Sequence, residues 1–318
     1  MKIDLTATER AAPVGATRVR AVRSARLRAA QATLVSLLYL LPSLVAFAAF
    51  IFYPLVKSIY LSLFASDPFG RGTGVYVGLR QYQIALTSTS YRQALGVTLL
   101  YTLYTVPLGL LVALGLAVLA NARVRGISIF RTVYALPIGV SVAASSLVFL
   151  LLYNPSAGVL NYFLTSLGLP AVQWLIQPRS ALWAIAFLSI WMSLGFNFIV
   201  LLSGLQGIPE ELYESAKIDG AGSLRLFSSI TVPLLTPTLF FVLVISTIGA
   251  FQTFAQIHLL TRGGPAGATN VVVYSIYRDA FFNFQTGYAS AQAVILFLIL
   301  LALTAIQFGV LERRVYYS

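Results

Sequence analysis

The chain has no cysteine and one histidine, His258, among 318 residues. That excludes a disulfide framework, thiolate chemistry, and any metal site built on sulfur or on several imidazoles, H-E-x-x-H included. Lysine is confined to Lys2, Lys57 and Lys217, and none lies in a Walker A phosphate loop, so this chain does not hydrolyse ATP in that way. No G-x-S-x-G elbow is present for a serine nucleophile. Charge of either sign is scarce, 9% of residues, where a soluble domain carries about 25%. What remains is apolar: 58% hydrophobic residues and a mean hydropathy of +0.86 describe an all-α protein that crosses a membrane several times. The formal charge of +12 does not mark a nucleic-acid surface, because the arginines flank apolar segments and do not gather on one face with stacking aromatics.

Residues 1–32 form a basic tail with Lys2, Arg10, Arg18, Arg20, Arg23, Arg26 and Arg28. No apolar run precedes Leu34, and the run beginning there is longer than a signal core, so no cleaved signal is expected. Six spans follow within residues 33–318, each able to cross about 30 Å of hydrocarbon. They are placed at Leu34–Phe64, Ala94–Asn121, Thr132–Tyr153, Ala181–Gln206, Leu234–Leu260 and Ala289–Leu311. Val159–Leu169 is helical in pattern but too short to span, and with Trp174 it is expected at the interface. With the N-terminus inside, the tail, Arg123, Arg125, Arg131, Lys217, Arg225, Arg313 and Arg314 fall on the inner side. They outnumber Arg71, Arg80, Arg92, Arg179, Arg262 and Arg278 outside, which predicts two cytoplasmic termini. Lys57, near the outer end of the first span, can snorkel to the surface.

The polar stretch Pro209–Pro237 interrupts the second half and is predicted to be cytoplasmic. It reads as two short helices at a bend. Pro209 suits a first turn, and Glu210, Glu211 and Glu214 favour its dipole. Asp219-Gly220 and Gly222-Ser223 break the helix, Ser223 caps a second one over Leu224 to Ile230, and Pro233 and Pro237 mark the way into the fifth span. All nine acidic residues, Asp279 among them, are placed in tails or loops, which weakens an ion-coupled carrier needing an intramembrane carboxylate without removing that alternative.

Glu214-Ser215-Ala216, three residues, Gly220, nine residues, Ile230, one more, then Val232-Pro233 resembles the EAA loop of ABC importer permeases, in which the pattern is E-A-A, three residues, G, nine residues and I-x-L-P. Ser215 and Val232 depart from it by mild changes of size. Asp219-Gly220-Ala221, Phe227 and Pro233-Leu234 through Pro237 resemble the carbohydrate-type permeases in particular. Ser66-Asp67-Pro68-Phe69-Gly70, Val77-Gly78-Leu79, Arg262-Gly263-Gly264-Pro265, Ile276 to Phe281 and Gln307-Phe308 through Glu312-Arg313-Arg314-Val315 are similar to the first permease subunit of glycerol-3-phosphate importers.

The resemblance implies a six-helix type I ABC importer permease in a bacterial or archaeal cytoplasmic membrane. It is expected to pair with a second permease subunit, to dock on a dimeric ATPase that carries ATP and Mg²⁺, and to receive cargo from an extracytoplasmic binding protein. Loop 208–233 would couple to the ATPase: Glu214 through a basic partner residue, Ser215 beside it, Ala216 and Gly220 by close approach, Asp219 at the bend, Phe227 anchoring the second helix, and Pro233 at the entry to the next span. Gly263, Gly264 and Pro265 would lie in an outer loop facing the binding protein or the cavity mouth.

A path through the membrane is sought among neutral polar groups. Ser189, Ser193 and Asn197 recur every four residues, as do Gln252 and Gln256, so each set suits one helix face. Ser193, Asn197, Gln252 and Gln256 are the candidates for cargo contact; the alternative is that they bond neighbouring helices. His258 is expected at the interface or against a loop. Cargo is expected to be glycerol-3-phosphate or a related glycerol phosphodiester, with a mono- or oligosaccharide as the alternative.

Overall fold

The computed structural model describes residues 38–66, 74–122 and 124–311, with side chains through 309. The basic tail, Asp67 to Arg71, Arg123 and Glu312 to Val315 therefore lie outside the described residues. The chain divides into two units, Met1–Lys57 and Ser58–Ser318. In the first, residues 38–57 belong to helix α1 (Leu38–Leu61), and the Lys57 ammonium sits 5.7 Å over the Tyr53 ring.

The second unit carries α2 (Arg80–Thr87), α3 (Thr89–Ala120), α4 (Ile127–Ala135), α5 (Val142–Leu152), α6 (Val159–Ser166) and α7 (Pro178–Gln206). It continues with α8 (Glu210–Ile218), α9 (Ser223–Phe251), α10 (Ala255–Leu260), α11 (Val272–Phe281) and α12 (Thr286–Gly309). Helices α1, α3, α7, α9 and α12 are long and apolar enough to cross a membrane, and α4 with α5 forms a sixth candidate bent by 104°.

Helices α3 and α7 make the central pair. A stripe of Thr98, Thr105, Gly109, Ala113, Ala117 and Ala120, spaced by seven residues and then by three or four, is buried along α3. Small side chains of this kind let two backbones approach closely where lipid supplies no hydrophobic drive between helices. Ala113, Ala117 and Ala120 meet Phe198, Leu201 and Leu205 of α7 and Leu235 and Val242 of α9 in one apolar cluster. The two helices run parallel, since Tyr101 reaches Ser189 and Gly109 lies beside Ser193.

Three expected elements differ. The third span is not one helix: Pro137 sits in a tight turn, Leu136–Gly139, Val140 is extended, and the Ser141 hydroxyl accepts from Ala144 N to start α5. That turn packs on α7 only because position 195 is glycine; a Cβ there would lie 2.7 Å from Ile138 N. The fifth span stops at Phe251 and restarts at Ala255, with Phe254 at φ −142. The segment Ile276 to Phe281, placed in a loop, belongs to α11.

The second short helix of the polar stretch is also not separate. Ser223 is its first helical residue and makes no side-chain cap, and the helix runs on through Phe251. Pro233 is tolerated because a wider π-type turn, Phe227–Thr231, precedes it. Pro237 leaves the Pro233 carbonyl without its usual donor, and the Thr236 hydroxyl supplies one at 2.5 Å. The same device recurs in α1, where a π-type turn, Ala48–Phe52, precedes Pro54.

Candidate functional site

Two regions carry the candidate residues: a cavity among α3, α7, α9 and α10, and the exposed bend of α8 with the start of α9.

The cavity has a volume of about 300 Å³. Tyr101 and Thr105 line it from α3, Ser189, Ser193 and Asn197 from α7, Ser246 from α9, and Thr253 and Gln256 from the break and α10. Every polar group on its wall is neutral. Most are already engaged: Thr105 donates to Tyr101 O, Ser193 to Ile190 O and Ser189 to Ile185 O. Asn197 differs. Its side chain is 3% exposed and lines the cavity, yet makes no hydrogen bond to another described residue. Its amide atoms open onto the cavity, where they can bond water or a passing solute. Ser246 and the Gln256 Nε2 likewise have no protein partner and face the same space.

Of the four expected path residues, the fold brings Ser193, Asn197 and Gln256 together and leaves Gln252 out. Gln252 is exposed, because the helix ends at Phe251 and the four-residue repeat that linked it to Gln256 does not survive the break. Tyr101 and Thr253 were not singled out by sequence as cargo candidates; a tyrosine in an apolar span reads as an ordinary packing residue until its partners are seen.

The bend is exposed along most of its length. Glu214, Ser215, Asp219 and Gly220 are at the surface, while Ala216, Phe227 and Pro233 are half-buried. Ile218 and Leu224 stand 87% and 81% exposed, a large apolar display on either side of the turn. The turn closes through Ala221 N to Ala216 O and Gly220 N to Lys217 O, and the Tyr213 hydroxyl reaches Thr231 Oγ1 at 3.0 Å. Gly220 has φ +80 with nothing within 4 Å of a Cβ, so within this chain glycine is required by conformation and not by close approach.

Loop 261–271, after α10, is tightly built. Thr269 Oγ1 donates to Gly264 O at 2.6 Å and pairs with Thr261 Oγ1 at 2.7 Å. Gly263, at φ +81, lies under Tyr274, whose ring a Cβ would approach to 2.9 Å. Gly264 and Pro265 border a second cavity of about 450 Å³ with Tyr153, Leu175 and Thr261. His258 stacks on Phe254 with centroids 5.3 Å apart, and its buried Nδ1 has no partner.

Asp279 corrects the placement of every carboxylate in a tail or loop. It sits in α11 at 7% exposure, where Asn283 Nδ2 and Gln292 Nε2 each donate to it at 2.8 Å. The two amide donors satisfy the buried carboxyl group in place of water, and α11 is not among the candidate spans. Among the described residues no three His, Asp or Glu side chains gather to hold a metal ion.

Residues 105–317 match the family described as binding-protein-dependent transport system inner membrane component. The chain is 38% identical over 280 residues to the sn-glycerol-3-phosphate transport system permease protein UgpA of Agrobacterium fabrum, covering 87% of this chain and 94% of that one. It is 39% identical over 282 residues to the protein of the same description from Brucella abortus, covering 88% and 95%. Among solved structures, a bacterial alginate ABC transporter in complex with alginate pentasaccharide-bound periplasmic protein superposes with a TM-score of 0.79 at 24% identity, covering 90% of this chain and 96% of that one. A bacterial ABC transporter involved in the import of the acidic polysaccharide alginate gives 0.76 at 25%, covering 90% and 98%.

Proposed function

The chain belongs to the inner-membrane components of binding-protein-dependent transport systems, and on that premise we propose that it imports glycerol-3-phosphate or a related glycerol phosphodiester. It is a membrane transport subunit, a permease of an ABC importer, and ATP hydrolysis belongs to a separate ATPase subunit. In this reading the chain forms half of a path completed by a second permease, both termini are cytoplasmic, and loop 261–271 faces an extracytoplasmic binding protein.

The observation that carries the reading is the neutral cavity with Asn197, Ser246 and Gln256 Nε2 unpaired on its wall. Unpaired neutral groups can replace the hydration of a small polyol in passing, and the second permease supplies the positive charge that the phosphate calls for. About 300 Å³ fits one small molecule in this half of the path.

Coupling is assigned to the bend. The exposed Glu214 pairs with a basic residue of the ATPase, Ser215 and Asp219 flank it, and Ile218 and Leu224 bury their apolar surface in the docking groove. Tyr213 ties α8 to Thr231 in the first turns of α9, with Phe227 and Pro233 anchoring that end of the helix, so a shift received at Gly220 passes into α9, which continues to Phe251 through the π-type turn.

The test is reconstitution with the partner permease, the ATPase dimer carrying ATP and Mg²⁺, and the binding protein. ATP-dependent glycerol-3-phosphate uptake is expected. Glu214→Ala is expected to assemble normally yet lose both uptake and stimulated ATP hydrolysis. Uptake driven by a proton or sodium gradient without the ATPase would refute the coupling reading, and uptake of a sugar in place of glycerol-3-phosphate would refute the cargo.

A further inference from the structure

We propose that the turn between α11 and α12 is a membrane anchor. Phe281, Phe282 and Phe284 insert their rings among the phospholipid headgroups of the leaflet where α12 begins, and the buried Asp279 holds the turn in the shape that presents them. The three phenylalanines are 67%, 62% and 67% exposed, and exposed apolar clusters of this kind mark contact surfaces for a membrane or a protein. Neither the cavity nor the cytoplasmic bend uses them. The turn is fixed from several directions. Phe282 N and Asn283 N both donate to Arg278 O, and Gln285 N donates to Asp279 O. The Asp279 carboxyl accepts from Asn283 Nδ2 on one oxygen and from Gln292 Nε2 on the other, which ties the turn to α12. Phe284 is held at φ +52, a left-handed backbone that a residue with a Cβ adopts only when its surroundings impose it. The Tyr277 ring supports the base of the cluster, 5.2 Å from Phe281 and 5.6 Å from Phe282. A buried carboxyl group and a left-handed phenylalanine are both unfavourable alone; together they fix where the rings point.

Position decides what covers them. Helix α12 is a candidate span that starts at Thr286, and α1 is another that ends at Leu61. Their ends meet: Gly287 N donates to Ser66 Oγ at 2.9 Å, and a Cβ at position 287 would strike the Phe64 carbonyl oxygen. The Phe64 ring in turn carries Tyr60 and Tyr76, with centroids 4.7 and 5.5 Å from its own, and both tyrosines are exposed. Two candidate spans therefore end at one level, and exposed aromatic rings gather there as they do where hydrocarbon meets headgroups. From Ala280 to Leu311 the sequence has no charged residue, so nothing in the turn opposes entry, and Asn283 and Gln285 offer amides to the headgroups.

The experiment uses the absence of cysteine from this chain. Phe281→Cys, Phe282→Cys and Phe284→Cys are labelled one at a time with bimane in the assembled importer, reconstituted in phosphatidylcholine–phosphatidylglycerol vesicles. The unmutated importer, treated alike, supplies the background, and a bimane–glutathione adduct in the buffer is the aqueous reference. Quenching by a nitroxide high on the lipid acyl chain is expected to exceed that of the reference at least about 3-fold, since interfacial side chains sit about 5–10 Å into the headgroup–acyl boundary. Iodide on both sides of the membrane is expected to quench the three labels at least about 3-fold less than the reference. Asp279→Ala combined with Phe284→Cys is expected to lose about half of the lipid quenching or more, because both amide ties go. Should that variant assemble poorly, Asn283→Ala, which leaves Gln292 paired with Asp279, is expected to shift the label in the same direction. Strong iodide quenching with weak lipid quenching at the three positions overturns the proposal. Shielding from both quenchers also overturns it, because the rings are then seated on a partner subunit. Lipid quenching unchanged by Asp279→Ala, or by Asn283→Ala in its place, overturns the bracing by Asp279 and the proposal with it.

Discussion

Alanine at position 195 tests whether the broken third span is seated on α7 as described. In an open stretch of helix, Gly→Ala gains about 1 kcal/mol from propensity. At Gly195 the added Cβ would stand 2.7 Å from Ile138 N, 2.8 Å from Ala135 O and 3.1 Å from Ile138 Cβ. Two of these obstacles are main-chain atoms in the tight turn around Pro137, so no rotamer change relieves them. Overpacking of this kind costs about 1–3 kcal/mol, and immovable atoms put it at the upper end. The net expectation is a loss of about 1–2 kcal/mol. Gly115, in α3, has nothing within 4 Å of its Cβ. Gly115→Ala is therefore expected to be neutral or stabilising by up to about 1 kcal/mol, leaving the two alanine variants about 1–3 kcal/mol apart. Thermal unfolding of the purified importer in detergent measures the difference. Ile138→Ala should not rescue Gly195→Ala, and uptake should fall as well, because Gly195 lies between Ser193 and Asn197. Equal stability of the two alanine variants would show that the turn does not pack on α7 as described.

A contrasting case is Gly204, whose Cβ would meet Thr238 Oγ1 at 2.6 Å and Leu235 Cδ1 at 2.8 Å, both side-chain atoms. Gly204→Ala is expected to cost about 1–2 kcal/mol and to be largely restored by Thr238→Ala, read by the same unfolding assay; additive losses would contradict the geometry. Asn161, 4% exposed, donates to Pro155 O and Val172 O and accepts from Val172 N and Trp174 Nε1. Asn161→Ala strands those groups and should cost about 2–4 kcal/mol locally. Protease cleavage between α5 and α7 should rise and the Trp174 emission should change, and unaltered protection would argue against the hub.

Legibility varied with the range of the interaction. The bend at Asp219-Gly220 was readable because Gly220 needs a left-handed backbone, a requirement set within a few residues. The second short helix was misread because Pro233 and Pro237 were taken as boundaries, and nothing in local sequence signals that a π-type turn and the Thr236 hydroxyl accommodate them. The break at Gln252 to Phe254 contains neither glycine nor proline. Thr253 in that break lies 3.3 Å from the Tyr101 hydroxyl, 152 positions away. Pro137, Gly139 and Ser141 did carry a signal for the broken third span, but the surrounding apolar run hid it. Asp279 looked like a loop carboxylate because its amide partner Gln292 lies on another helix.

By itself the sequence determined that this chain lives in a bilayer, roughly where it crosses, and where a polar bend interrupts the spans. Those properties follow from the hydrocarbon thickness a helix must cover and from backbone preferences of single residues. Tertiary structure alone decided which polar groups share the cavity, which are already paired, and which stand free. The Tyr101, Ser189 and Thr253 hydroxyls that meet on its wall come from three distant stretches of chain, which only the packing of the helices brings together.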